Sequence, residues 1–436
     1  MRIIGNRGNT ARKVQAVASG TLASGGTVVV NADGTVSVIE GVAAGVGSAT
    51  VFEAATTNHI FATFDSNSNK VVIIYQDGGN SSYGTAIVGT VSGTGISFGS
   101  PVVFDSTAVT YTTAAFDSNS NKVVISYRDN GNSSYGTAVV GTVSGTNISF
   151  GTAVVYENAN AQYNSLAFDS NSNKVVIAYK DIGNSSYGTA IVGTVSGTGI
   201  SFGSPVVFES AATSFISATF DSNSNKVVIA YSDAGNSNYG TAIIGTVSGT
   251  GISFGSPVVF ESAYSTVLVS TFDSNSNKVV IAYKDNGNSS YGTAVVGTVS
   301  GTSISFGTAV VFQNVDVGWL STTFDSSSNQ VIISYRDNTV GNGTLVVGTV
   351  SGTSISFDTP LVFNAATTYF TAAAFDSNSN KTVIAYRNSG NSHYGTAVVF
   401  QTESTNLTAE NYIGIASNGY GDTKTATINV KGFIDD

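Results

Sequence analysis

YNSLAFDSNSNKVVIAYKDIGNSSYGTAIVGTVSGTGISFGSPVVF, residues 163–208, decides the fold of this chain. It holds four apolar stretches separated by turn chemistry. The first, Tyr163 to Phe168, runs into Asp169–Asn173, whose Asp and Asn side chains suit a tight turn. The second, KVVIAY (174–179), is followed by a Gly- and Asn-rich loop. The third, YGTAIVGTV (187–195), ends in a Ser-Gly-Thr-Gly turn, and the fourth covers Ile200 to Phe208. The second and third stretches scarcely alternate, which is the pattern of strands buried on both faces.

The same unit recurs along the chain. Its marker Phe-Asp-Ser-Asn-Ser-Asn begins at Phe64, Phe116, Phe168, Phe220, Phe272 and Phe375, with Phe-Asp-Ser-Ser-Ser-Asn at Phe324. The spacing is 52 residues five times and 51 once. Seven copies of four short strands, at a period near 50, predict an all-β seven-bladed β-propeller. A β-solenoid is the competing architecture. All four prolines (Pro101, Pro205, Pro257, Pro360) fall at the centre of the fourth stretch, which predicts an edge strand there. The seventh copy lacks its fourth stretch. SATVFE at 48–53 matches SPVVFD at 100–105, so an N-terminal strand is expected to complete the last copy and close the ring.

The expected organisation is an N-terminal β segment (1–47), the propeller (48–402) and a C-terminal β segment (403–436). Residues 16–41 read as a hairpin turning at Asp33-Gly34. Residues 405–433 read as two or three more strands, and the two terminal segments are expected to pair into a small β platform beside the ring.

Composition narrows the function classes. The 436 residues carry a formal net charge of −10, which disfavours general nucleic-acid binding. The basic N-terminal group of Arg2, Arg7, Arg12 and Lys13 is too short to change that. There are no cysteines, hence no disulfide, thiolate metal site or Cys nucleophile. No stretch reads as a signal peptide or a membrane-spanning helix, so no membrane insertion is expected. His59 and His393 are the only histidines, and neither has an evident nucleophile partner. Asp recurs in nearly every copy, so no acid pair stands out for glycoside hydrolysis. No catalytic residue, metal or cofactor is assigned. The Asp-x-Asn-x-Asn string lacks the Gly and Glu of a calcium loop and reads as an Asx turn.

What varies between copies is more informative than what repeats. Five residues before each marker Phe stand His59, Tyr111, Tyr163, Phe215, Val267, Trp319 and Phe370. Six of the seven are aromatic or imidazole, yet they differ in size. Such variation within one class predicts a shaped ligand or receptor surface, or a plug of graded sizes. After each second stretch comes Tyr-X-Asp/Asn, which adds Arg128, Asp129, Lys180, Asp181, Arg336, Asp337 and Arg387 as candidate binding residues. Flat rings beside carboxylates and amides suit sugars; the alternative is a loop whose Asp caps its own turn.

Three stretches carry a family resemblance: ASGTLASGGTVVVNADGTVSVI (18–39), YKDNGNSSYGTAVVGTVSGTSISFGT (283–308) and its copies, and NLTAENYIGIASNGYGDTKTATINV (406–430). With these the chain resembles tail-fibre, appendage or decoration proteins in the virions of marine tailed bacteriophages. The resemblance implies a non-enzymatic structural or host-attachment protein of the virion, made in the host cytoplasm. Its expected partners are other virion proteins and a host surface glycan, and a homo-oligomer is compatible with it. A bacterial surface adhesive or structural repeat protein, located outside the cell, is the alternative, and a glycan-processing enzyme comes third.

Overall fold

The structure is a computed structural model that describes residues 2–4, 12–39, 41–405, 412–416, 418–421 and 423–430. Arg7 and parts of the C-terminal motif (406–411, 417, 422 and 431–433) lie outside the described residues. The chain forms two compact units: Val46–Gln401, and Met1–Gly45 with Thr402–Asp436.

The larger unit is all-β, and its repeated groups of antiparallel strands close into a ring. In the third copy the strands are Val154–Asp169, Lys174–Asp181, Tyr187–Ser196 and Gly199–Phe202. Lys174–Asp181 pairs with a neighbour on either side. Its residues are buried because each face meets a different copy. Val176, Ala178, Ala190 and Val192 pack against Val227, Ile229 and Tyr231 of the next copy. Each fully buried Val, Ile or Leu of this kind contributes roughly 1.5–3 kcal/mol, and the seams between copies are where the ring is held together.

The fourth stretch departs from expectation. It is two strands, broken where the prolines stand. Gly199–Phe202 lies along one half of the third strand, from Gly193 to Ser196. After the break at 203–205, Val206–Glu209 lies along the other half, opposite Gly188–Ala190. Pro205 sits in the break itself, where no ladder bond is required of it.

No loop joins the fourth stretch to the next copy. Val206–Asp221 is one strand of 16 residues, the outer edge of one sheet at its start and the inner strand of the next from Thr213 onward. Each long strand therefore rivets two copies together. Gly203, at the break, donates its N–H to the Val192 carbonyl at 2.9 Å. A side chain there would overlap the carbonyl of Thr250 in the next copy, so the close approach requires Gly.

The N-terminal strand Thr50–Asp65 supplies the last copy's missing edge. Thr56, Glu53, Val51 and Thr50 pair with Tyr394, Gly395, Thr396 and Ala397, the register of the other copies.

The smaller unit is a six-stranded sheet that interleaves both termini. Its order is Arg2–Ile4, Arg12–Val17, Thr425–Val430, Tyr412–Ala416, Thr27–Val30 and Val36–Val38. Val14, Ala16, Leu22, Val28, Val36, Ala426 and Ile428 form its core. Its hairpin turns as expected at Asp33-Gly34. Asp33 Oδ1 accepts the Thr35 N–H at 2.9 Å, and Gly34 takes a left-handed φ of 81°. Among the described residues, no helix is long and apolar enough to cross a membrane.

Every second strand ends in a fully buried tyrosine: Tyr75, Tyr127, Tyr179, Tyr231, Tyr283, Tyr335 and Tyr386. Where a glutamate stands 22 residues earlier, the phenol donates to it. The distances are 2.9 Å for Tyr75–Glu53 and Tyr179–Glu157, and 3.0 Å for Tyr231–Glu209 and Tyr283–Glu261. Burial raises the pKa of these carboxyls, opposed by the tyrosine hydrogen bond. Tyr179→Phe should lower the unfolding free energy by about 1–2 kcal/mol in urea denaturation, with the slope unchanged.

Candidate functional site

The seven variable positions share one backbone device. In the second copy Thr110 pairs with Arg128 and Thr113 with Ser126, so Tyr111 and Thr112 face the single residue Tyr127. This is a β-bulge, and it recurs opposite each of the seven buried tyrosines. Its first residue is left-handed every time. The φ angles are 47° at His59, 51° at Tyr111, 52° at Tyr163, 51° at Phe215, 51° at Val267, 53° at Trp319 and 52° at Phe370. Glycine normally takes this place in such a bulge. A bulky L-residue there costs roughly 1–2 kcal/mol, and a β-branched one such as Val267 is the least suited of all.

The bulges turn these side chains into a common cavity. Successive long strands adjoin one another round the ring, the last against the first. Ring centroids lie 4.2 Å apart for Trp319–Phe370, 5.3 Å for Phe370–His59, 5.8 Å for His59–Tyr111, 5.2 Å for Tyr111–Tyr163 and 5.1 Å for Tyr163–Phe215. Val267 interrupts this belt. The cavity it borders measures about 820 Å³ and includes all seven bulge residues in its wall. Near the Val267 gap the wall turns polar, with Tyr264, Thr266, Lys284, Asn286 and Asn338. Below it lies a smaller space of about 100 Å³. There, hydroxyls of one copy cap amides of the next, Ser165 Oγ accepting from Ala218 N and Ser321 Oγ from Ala373 N, each at 2.9 Å. The second bulge residue also stitches copies together, since the hydroxyls of Thr112 and Thr371 donate to the carbonyls of His59 and Trp319.

The Tyr-X-Asp positions divide into two groups. The cations flank the belt. Arg128 Cζ stands 5.1 Å from the Tyr111 ring centre, Lys180 Nζ 5.9 Å from that of Tyr163, and Arg387 Cζ 5.0 Å from that of Phe370. Arg336 stacks at 4.5 Å on Tyr369. The acids instead close their own loops. Asp129 Oδ1 accepts from Gly131 N and Asn132 N, each at 3.0 Å, Asp181 Oδ1 from Asn184 N at 3.1 Å, and Asp337 Oδ1 from Thr339 N at 2.9 Å. Their geometry is that of turn caps, and they do not line the cavity. The Asp of the Asp-Ser-Asn-Ser-Asn string does the same, Asp169 Oδ1 taking the amides of Asn171 and Ser172. Among the described residues no three His, Asp or Glu side chains converge on one point.

Several residues of this site escape a reading confined to one position per copy. Tyr264, Tyr369, Asn286 and Asn338 were not singled out. A signal for two of them exists in the sequence. Eight residues before the marker Phe, Tyr264 replaces Thr, Ala, Asn or Asp of the other copies; six before it, Tyr369 stands where the others have Asn, Thr, Gln, Ser or Gly.

No protein-family model matches the chain, and no curated protein matches it.

His59 is wedged between Tyr111 and Phe370, with its Nδ1 accepting the Tyr111 N–H at 3.4 Å. Burial, reinforced by the Arg128 and Arg387 charges, lowers its pKa from 6.5 to about 4. Between these values the unfolded chain takes up a proton that the folded ring refuses. Stability contributed by neutral His59 is therefore complete above pH 6.5 and falls as pH falls toward 4, by about 3 kcal/mol in all. Urea unfolding at pH 7 and pH 4.5 should show His59→Phe losing less stability on acidification than the parent, since Phe fills the same position at 215 and 370.

Proposed function

We propose that the ring is a seven-bladed β-propeller whose axial cavity binds a saccharide, and that the chain is a non-enzymatic attachment or structural protein of a bacteriophage virion. One observation carries the binding reading. At all seven bulges the backbone takes a conformation that suits Gly, yet no copy uses Gly. Strain of this kind, kept at every equivalent position and directed at one cavity, fits selection for the side chains themselves. A wall of aromatic faces with polar groups gathered at one gap matches the usual make-up of a small-molecule site. The cavity falls within the common range of about 300–1,000 Å³. Aromatic faces offer the C–H surface of a pyranose an apolar platform, and Asn286, Asn338 and Thr266 offer hydroxyls their partners. The virion assignment rests on the resemblance of the terminal and repeat motifs to phage appendage proteins.

Binding to the cavity and presence in the particle are tested separately. Trp319 is the only tryptophan, 37% exposed and on the cavity wall, so its fluorescence should change when a glycan-array hit is titrated in. Trp319→Ala, followed by calorimetry, should weaken that binding at least tenfold. Val267→Phe should complete the aromatic belt, fill the gap and abolish binding, while the melting temperature stays close to that of the parent. Unaltered binding in both variants would move the ligand away from the cavity. Mass spectrometry of purified particles should find the chain in the virion; its absence there would remove the virion assignment alone.

A further inference from the structure

The cations round the cavity are poorly matched by anions. Lys284 has a carboxylate, Asp316, at 2.5 Å. Among the described residues, Arg128, Lys180, Arg336 and Arg387 have none within ion-pair distance. This happens in a chain of net charge −10, where unpaired anions abound. Asp129, Asp181 and Asp337, which follow three of these cations, turn an oxygen to their own loop amides, and Arg387 is followed by the neutral Asn388. Arg128 makes do with amides, its Nε donating to Asn130 Oδ1 at 2.8 Å.

Arg336 and Arg387 are the extreme case. Both guanidinium groups lie against one ring, Tyr369, at 4.5 and 4.3 Å from its centre. Both Nε atoms are buried and without a partner. Like charges set so close repel one another. The pKa of Arg387 is lowered by its burial and by Arg336, with Tyr369 acting the other way. Of the remaining donors of the pair, Arg387 Nη1 reaches only the Asn58 side-chain oxygen. Tyr369 in turn stands edge-on to Trp319, at 6.0 Å between centroids, so the pair sits beside the closest ring contact of the belt, Trp319–Phe370.

We propose that Arg336, Tyr369 and Arg387 form an anion subsite at the rim of the aromatic cavity, and that the saccharide bound there is an acidic one. Its carboxylate or sulfate takes the free guanidinium donors, and its ring lies toward Trp319 and Phe370. An anion between the two guanidinium groups neutralises their repulsion and satisfies buried N–H groups, which is what a planar fork of donors does best. This inference rests on the saccharide reading above and names its ligand class.

The test is an array in which each carboxylated or sulfated oligosaccharide is printed beside its neutral counterpart: the methyl ester, the reduced alcohol or the desulfated sugar. Binding should be confined to acidic members, and whether carboxylated or sulfated spots respond identifies the anion. Affinity should fall at least tenfold between about 0.05 and 0.5 M salt, where the Debye length shrinks to a few ångströms. The double variant Arg336→Gln/Arg387→Gln should lose at least tenfold in affinity for the acidic member, with the melting temperature nearly unchanged. If the double variant does not fold, Arg387→Lys keeps the charge, loses the fork, and should show a smaller but measurable loss. Equal binding of acidic and neutral partners, or acidic binding that survives in the variants, overturns the anion subsite and leaves the cavity reading standing. No binding to any member of the array overturns both.

Discussion

Two residues facing one is the constraint from which the ring unit follows. In each copy the buried tyrosine at the end of the second strand is opposed by a pair on the long strand, and the mismatch must be absorbed somewhere. It is absorbed by a left-handed residue. That single backbone event aims one side chain per copy at the axis and sets the next, largely apolar one into the seam. In four copies the phenol beneath finds a glutamate on the outer edge of the preceding sheet. Inner strand, outer edge and cavity wall are therefore linked through one side chain.

The repeat is uneven in what it holds constant. Residues that pack copy against copy, such as the Val-Val-Ile runs and the glycine at the edge break, hardly change, because every seam has the same shape to fill. Residues at and beside the bulge change freely. The belt they build is asymmetric despite a symmetric scaffold: aromatic through six copies, open at Val267, and rich in unmatched positive charge near Trp319 and Phe370. Seven near-equal copies build the scaffold, and the departures from equality give its cavity wall a direction.

Much of this was legible in the sequence, and the parts that were not have physical reasons. Repeat length, the four apolar stretches per copy and the matching of 48–53 to 100–105 identified the ring and the strand that closes it. The aromatic positions emerged by comparing copies. Their conformation did not, because left-handed backbone is ordinarily flagged by Gly or Asn, and His, Tyr, Phe, Val and Trp carry no such flag. The fourth stretch read as one strand because Pro at its centre marks an edge, whereas here it marks a break between two edge strands. A strand long enough to serve two sheets, as Val206–Asp221 does, leaves no local signature in the sequence. The aspartates of Tyr-X-Asp read either as ligand groups or as turn caps, and the hydrogen bonds they make are those of turn caps.

The seam between Thr50–Thr56 and Tyr394–Ala397 has a consequence for how the chain is made. The first long strand of the ring, Thr50–Asp65, is the partner of its last, Tyr394–Gln401. At elongation rates of about 5–20 residues per second, some 340 residues of synthesis keep that edge waiting for roughly 20 to 70 s. Meanwhile the growing stack of sheets presents the apolar face of its newest strand and an unclosed edge at its oldest. The waiting strand of one nascent chain fits the terminal copy of a neighbour as well as its own. Translation on crowded polysomes therefore sets closure within a chain against exchange between chains, and the nearness of a chain's own two ends is what favours closure.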